Sequence, residues 1–197
     1  MQLESDDATE AAFQRRLARN PLLLCVHHAL MMTLFPMAVL TIFQHDHLGL
    51  SIAEVMLVQA CFGGAVALFE FPSGYLADRI GYRPTIILAS FTAIVSWSLY
   101  SAATSFISVV IAEMLMGLSL SLVSGTHSAI LYESLAELGR KDDFARWFGR
   151  SRSLAQFAEG SAALVAGLLF TWSIRLPFYV MVGIWVINLL VALALVE

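Results

Sequence analysis

Six apolar stretches run through the chain, at approximately 22–43, 52–75, 84–103, 106–131, 155–172 and 176–196. Each is close to the roughly 20 residues that a helix needs to cross a hydrocarbon core of about 30 Å. Hydrocarbon offers no partner to a backbone N–H or C=O, so a stretch buried there must bond to itself, and the helix is the form that does so within one segment. The expected fold is therefore an all-α integral membrane bundle of six transmembrane helices. Composition agrees, with 59% hydrophobic and 13% charged residues, where a soluble domain carries about a quarter charged residues.

Several function classes fall away at this point. The net charge of −4 and the confinement of the basic residues to short stretches give no face for nucleic acid. Cys25 and Cys61 both lie inside apolar runs and read as small hydrophobes, not as a disulfide or redox pair. Residues 1–20 are acidic and then basic, with no apolar core of their own, and read as a cytosolic leader, not a signal peptide. Residues 21–197 form the membrane unit. Asn20 and Pro21 suit an N-cap and first turn, and Ser51 with Glu54 reads as a capping box at the start of span two.

Lys and Arg near span ends are retained in the cytoplasm. Arg15, Arg16 and Arg19 precede span one, Arg79 and Arg83 lie between spans two and three, and Arg140, Lys141, Arg146, Arg150 and Arg152 lie between spans four and five. These share one side, and Arg175 stands on the other. Both termini are expected in the cytoplasm, with the protein in an inner or plasma membrane. The loop 137–153 mixes charge with Phe144, Trp147 and Phe148 and reads as a short interfacial helix.

The turn after span two carries the most specific pattern: Gly74, Leu76, Ala77, Asp78, Arg79, Gly81 and Arg83, followed by Pro84. Gly74 removes a side chain where another helix can approach, and Gly81 permits a tight turn. Asp78 is an acid at the membrane edge that can accept from the open N-terminus of a neighbouring helix, and Arg79 and Arg83 add charge-assisted bonds. The pattern resembles the signature loop between helices two and three of the major facilitator superfamily (MFS), with Tyr82 where a basic residue is usual. The resemblance implies the N-terminal half of a secondary transporter, built as two three-helix inverted repeats, whose loop latches onto a second six-helix half on the cytoplasmic side.

Two further stretches resemble one branch of that family. Glu70, Pro72, Ser73 and Gly74 form one, and Ser124, Gly125, Ala129, Ile130, Leu131, Tyr132, Glu133, Ser134 and Leu135 form the other. That branch includes multidrug and macrolide efflux permeases, so the resemblance implies efflux of small amphiphilic compounds by alternating access, with proton-coupled antiport as one mechanism. Departures limit the transfer. Glu113 stands four residues before Gly117 where drug antiporters often carry an arginine, and span five has Gly160 and Gly167 without the antiporter Gly-Pro ending.

Ionisable residues inside spans are functional candidates by default. Glu70, Gly74 and Asp78 recur every fourth residue and share a face of span two, so Glu70 reads as an interdomain latch, a proton site or a locally satisfied acid. Glu113, Gly117, Ser121, Ser124, Gly125 and Ser128 make a small, polar stripe on span four, which suits either tight packing or a cavity wall with Glu113 as the proton or cation site. His127 lies at its inner end. In span one His28, Met31, Met32 and Phe35 fall within one broad face, which suits lipophilic solutes or lipid. Glu159 in span five is a further candidate.

Gln44, His45, Asp46 and His47 are adjacent on a short outer loop, a poor closed site, so no metal is expected. No cofactor is implied, and no nucleophile–base pair or phosphate loop supports an enzyme. The expected partners are a small-molecule substrate, the lipid bilayer and a second six-helix half, either a C-terminal domain or a second copy. The alternatives are a non-transporting six-helix module, a truncated half, or an importer of a small metabolite.

The charge asymmetry gives a direct test. A cysteine placed at Gly49 is expected to react with impermeant thiol reagents added outside the cell, and one at Asp143 to stay protected. The reverse pattern would overturn the orientation.

Overall fold

The computed structural model describes residues 2–197, with side chains from residue 9 onward. Six helical segments are long and apolar enough to cross a membrane: Thr9–Ala38, Ile52–Ile80, Tyr82–Ser101, Phe106–Glu137, Lys141–Trp172 and Leu176–Ala194. They are numbered here as spans one to six. Among the described residues there is no strand.

The spans pack in the order two, four, three, six, one, five, each touching the next. Exchanging every span with the one three places along the chain gives the same order read backwards, in agreement with two three-helix repeats. The buried apolar core includes Phe43, Val58, Trp97, Tyr100, Ala112, Phe178 and Trp185, and span five adds only the partly buried Phe170 packed against it. A smaller cluster of Leu24, Ile86, Ile130, Leu131, Leu135, Ala192 and Leu195 closes the end that carries the basic loops.

Polar ties fasten both ends. At the arginine-rich end the Asn20 amide donates to Ser134 Oγ (2.8 Å) and to the Val196 carbonyl (2.6 Å), and its Oδ1 accepts from Val196 N–H (3.1 Å). Asn20 is thus not the expected N-cap of span one: it is already helical, and its side chain is spent on span six. The Ser51–Glu54 capping box is present as expected, with both reciprocal bonds made. At the opposite end Arg175 donates to the carbonyls of Ser101 and Ala103 and lies over the Phe43 ring, 5.7 Å from its centre.

Three features depart from the sequence reading. Span one is interrupted. Its helix stops at Met31, passes through short turns at 32–34, and resumes as a 3-10 turn, Phe35–Ala38. Pro36 supplies the cause, since it has no N–H to donate to the preceding turn and so the helix cannot run on through it. Span four is broken as well: the first helix ends at Val123, Gly125 takes φ +78°, and a second helix starts at Thr126. The interfacial helix expected in 137–153 is not separate, because from Phe144 the chain runs as one helix to Trp172. No glycine or proline lies between Arg150 and Gly160 to end it.

Spans two and four approach closely at Gly117. A Cβ on Gly117 would sit 2.8 Å from Ala65 Cβ and 3.0 Å from the Phe62 carbonyl. Ser121 donates to the Val66 carbonyl (3.1 Å), and Ser73 donates back to the Ser121 carbonyl (2.8 Å). This part of the polar stripe is packing, because small residues let two backbones approach where the hydrophobic effect gives no advantage over lipid. Gly117→Val is expected to cost about 1–3 kcal/mol, as overpacking of a filled contact does. The check is the thermal midpoint of the detergent-solubilised protein, followed by fluorescence-detected size exclusion; an unchanged midpoint would refute the contact.

Candidate membrane cavity and its polar lining

A cavity of about 240 Å³ lies beside the interruption of span one and the first helix of span four, with further walls from spans two, three and six. Its walls are largely Met31, Met32, Leu34, Met37, Phe62, Met116 and Leu120, with Trp97 and Trp185. Methionine and aromatic walls of this kind accommodate apolar solutes by shape and dispersion. Both indole N–H groups are buried without an acceptor among the described residues. A buried donor without a partner costs about 1–3 kcal/mol, so a solute carrying an oxygen acceptor would gain by supplying one.

Glu113 lines the same cavity and is only 6% exposed. Its rise from the start of the helix at Phe106 places it about 10 Å deep. Tyr100 donates to its Oε1 (2.9 Å), and the Gln44 amide donates to the Tyr100 hydroxyl (2.5 Å). Gln59 lines the cavity beside it. Gln44 therefore does not belong to an exposed outer loop. It is fully buried on a helical turn over Phe43–His47, while His45 and Asp46 point outward, 4.0 Å apart. Among the described residues no group of His, Cys, Asp or Glu is arranged to hold a metal ion.

A second cavity, of about 420 Å³, lies toward the arginine-rich end and shares Met31 and Leu120 with the first. His28 and His127 face it, with ring centres 5.2 Å apart. His127 Nε2 lies 3.0 Å from the Leu24 carbonyl, which can only accept, so that nitrogen carries the hydrogen. His28 Nδ1 lies 2.9 Å from Ser151 Oγ. Phe35, expected on the face of His28, is carried off it by the break and packs into the core. Glu159 lines neither cavity; it is exposed and accepts from the Gln156 amide (3.3 Å).

Glu70 is exposed and accepts from Ser124 Oγ (3.3 Å), which joins span two to the break in span four. Past it, a Cβ on Gly74 would meet nothing within 4 Å, and Asp78 is exposed with no hydrogen bond or ion pair among the described residues. Arg79 lies over the Tyr75 ring at 5.4 Å, in place of the expected charge-assisted bond. Gly81 turns the chain at φ +96°. The open N-terminus of span three, at Tyr82 and Arg83, is capped by the Glu197 carboxylate (2.7 and 2.8 Å), and Arg83 Nη2 donates to the Leu193 carbonyl (3.0 Å). The sequence reading missed Glu197, whose partners lie more than a hundred residues away.

Residues 22–197 match the family model of the Major Facilitator Superfamily. The chain belongs to this superfamily. It is a multi-pass membrane protein of a transporter family, not an enzyme family. It is 26% identical over 134 residues to an uncharacterized MFS-type transporter, YxaM, of Bacillus subtilis (strain 168), covering 68% of this chain and 33% of that protein. It is also 26% identical over 153 residues to a hexuronate transporter of the same organism, covering 74% of this chain and 34% of that protein. The chain thus spans about a third of the length of these curated relatives. The multidrug branch suggested by Glu70–Gly74 and Ser124–Leu135 is not among the relatives named here.

Proposed function

We propose that this chain is the N-terminal half of an alternating-access transporter that moves small amphiphilic solutes outward across the cytoplasmic membrane, with both termini in the cytoplasm. The observation that carries the reading is the cavity at the interruption of span one, with methionine and tryptophan walls and a single buried carboxyl, Glu113. An amphiphile fits such walls without a dense set of hydrogen bonds, and a deep acid offers a place for a proton to exchange against it. A second reading, uptake of a small metabolite, is favoured by the similarity to the hexuronate transporter. Inside-out and right-side-out vesicles distinguish the two by the direction in which solute accumulates.

In this reading a second six-helix half covers the exposed line of Glu70, Gly74 and Asp78. Gly74 has the open space a neighbouring helix needs, and Asp78 is unengaged at the membrane edge. Gly81, Arg79 and Arg83 shape and hold the turn that presents Asp78. Asp78→Asn is expected to leave expression and insertion intact and to remove most transport by the full-length protein, because the amide still accepts a hydrogen bond but loses the charge. Full transport in that variant would reduce the motif to a topology marker.

Glu113 is proposed as the coupling acid. A carboxylate held that deep is costly unless paired or hydrated, and its partners here, Tyr100 and Gln59, are neutral. Such a group is a place where a proton can be taken up and released when water reaches the cavity. Glu113→Gln in proteoliposomes is expected to preserve substrate exchange while removing gradient-driven transport. Unchanged gradient-driven transport would show that the acid serves only the packing of spans three and four.

A further inference from the structure

We infer that the cavity at the break of span four binds the single anionic head, of the carboxylate class, of a solute whose apolar body lies in the adjoining methionine and tryptophan cavity. The inference rests on the transport reading and narrows its solute to amphiphilic anions.

Four observations converge. The polar lining is His28, Ser124, His127, Ser128, Ser151 and Arg152, with no carboxylate among the residues that face the cavity. Glu70 is not among the lining residues, although it accepts from one of them, Ser124 (3.3 Å). Arg152 brings a full positive charge and has no ion pair among the described residues; its guanidinium lies over the Phe148 ring, 6.0 Å from the centre. Arg140, in the same connecting region, is by contrast paired with Asp143 at 2.7 Å. An unpaired guanidinium beside an apolar cavity presents a planar fork of donors matched to a carboxylate.

The break adds to that charge. The second helix of span four begins at Thr126, and no side chain caps it. Ala129 N–H donates to the Gly125 carbonyl at its start (3.0 Å). Gly125, His127 and Ser128 line the cavity. An open helix start carries partial positive charge and free N–H groups, and interrupted helices in transporters present such ends to anionic parts of substrates. The two cavities share Met31 and Leu120, so a molecule with an acid at one end and an apolar body at the other spans both.

Three molecules of nearly one shape separate the head-group charge from the body: 4-phenylbutyrate, 4-phenylbutyramide and 4-phenylbutylammonium. Equilibrium binding to the full-length purified protein is expected to rank the carboxylate above the amide and the ammonium last. Arg152→Gln is expected to lower the carboxylate-over-amide ratio by about ten- to hundredfold, the range for losing a charge-assisted bond. Ser128→Asp, which puts an acid into the cavity while leaving Arg152 in place for folding and topology, is expected to reverse the ranking in favour of the ammonium. A carboxylate that binds no better than the amide, or a ratio unmoved in both variants, overturns the anion site. Displacement of phenylbutyrate by phosphatidylglycerol at the same ratio in wild type and variants would assign its binding elsewhere, and a site occupied by phosphatidylglycerol alone would be a lipid head-group site; either result overturns the proposal. None of these outcomes bears on the transport reading, which is tested separately by solute accumulation in inside-out and right-side-out vesicles.

Discussion

Everything in this structure is subordinate to the need for each backbone amide inside the membrane to find its own partner. Four of the six spans meet it with unbroken helix. Spans one and four do not, and they are the ones that open the two three-helix groups. At 32–34 the chain closes short local turns around Pro36, and at Gly125 it stops one helix and starts another. Irregular backbone at membrane depth is tolerated where it is buried in protein or lines a cavity. Both breaks meet that condition, and the two cavities lie against them. Candidate binding chemistry is thus concentrated at the two places where helix continuity is given up.

The number and order of the spans were legible from hydropathy alone, because apolar length is what lipid demands. The capping box at Ser51 and Glu54 was legible because it is local. Glu113 stood out because an acid in an apolar run has no bland explanation of composition. The breaks were not legible: a window of about 20 residues averages over a proline or glycine, and both occur in continuous membrane helices. The role of Gln44 was hidden for a different reason. It follows directly on an apolar run and looks like the first residue of a loop, and only tertiary structure brings it to Tyr100 and, through that hydroxyl, to Glu113.

The polar stripe on span four shows how one periodicity can serve two ends. Gly117 and Ser121 press against span two, while Glu113, four residues earlier, turns toward the cavity, and Ser124, Gly125 and Ser128 face the second cavity beyond the break. Period alone could not divide packing from lining, because both need small or polar residues in the same row. What divides them is the neighbour: a helix backbone beside Gly117, and space elsewhere.

The ties at the two ends of the bundle have a mechanical meaning. Asn20 pins span one to spans four and six at the arginine-rich end, and Arg175 pins the turn between spans three and four to span six at the other. Ties at both ends oppose shear between the spans, while helical hydrogen bonding is interrupted only partway along spans one and four. Those interruptions, at 32–34 and at Gly125, stand against the two cavities, so the stiffest parts of the bundle lie at its ends and its least regular backbone lies beside the empty space between them.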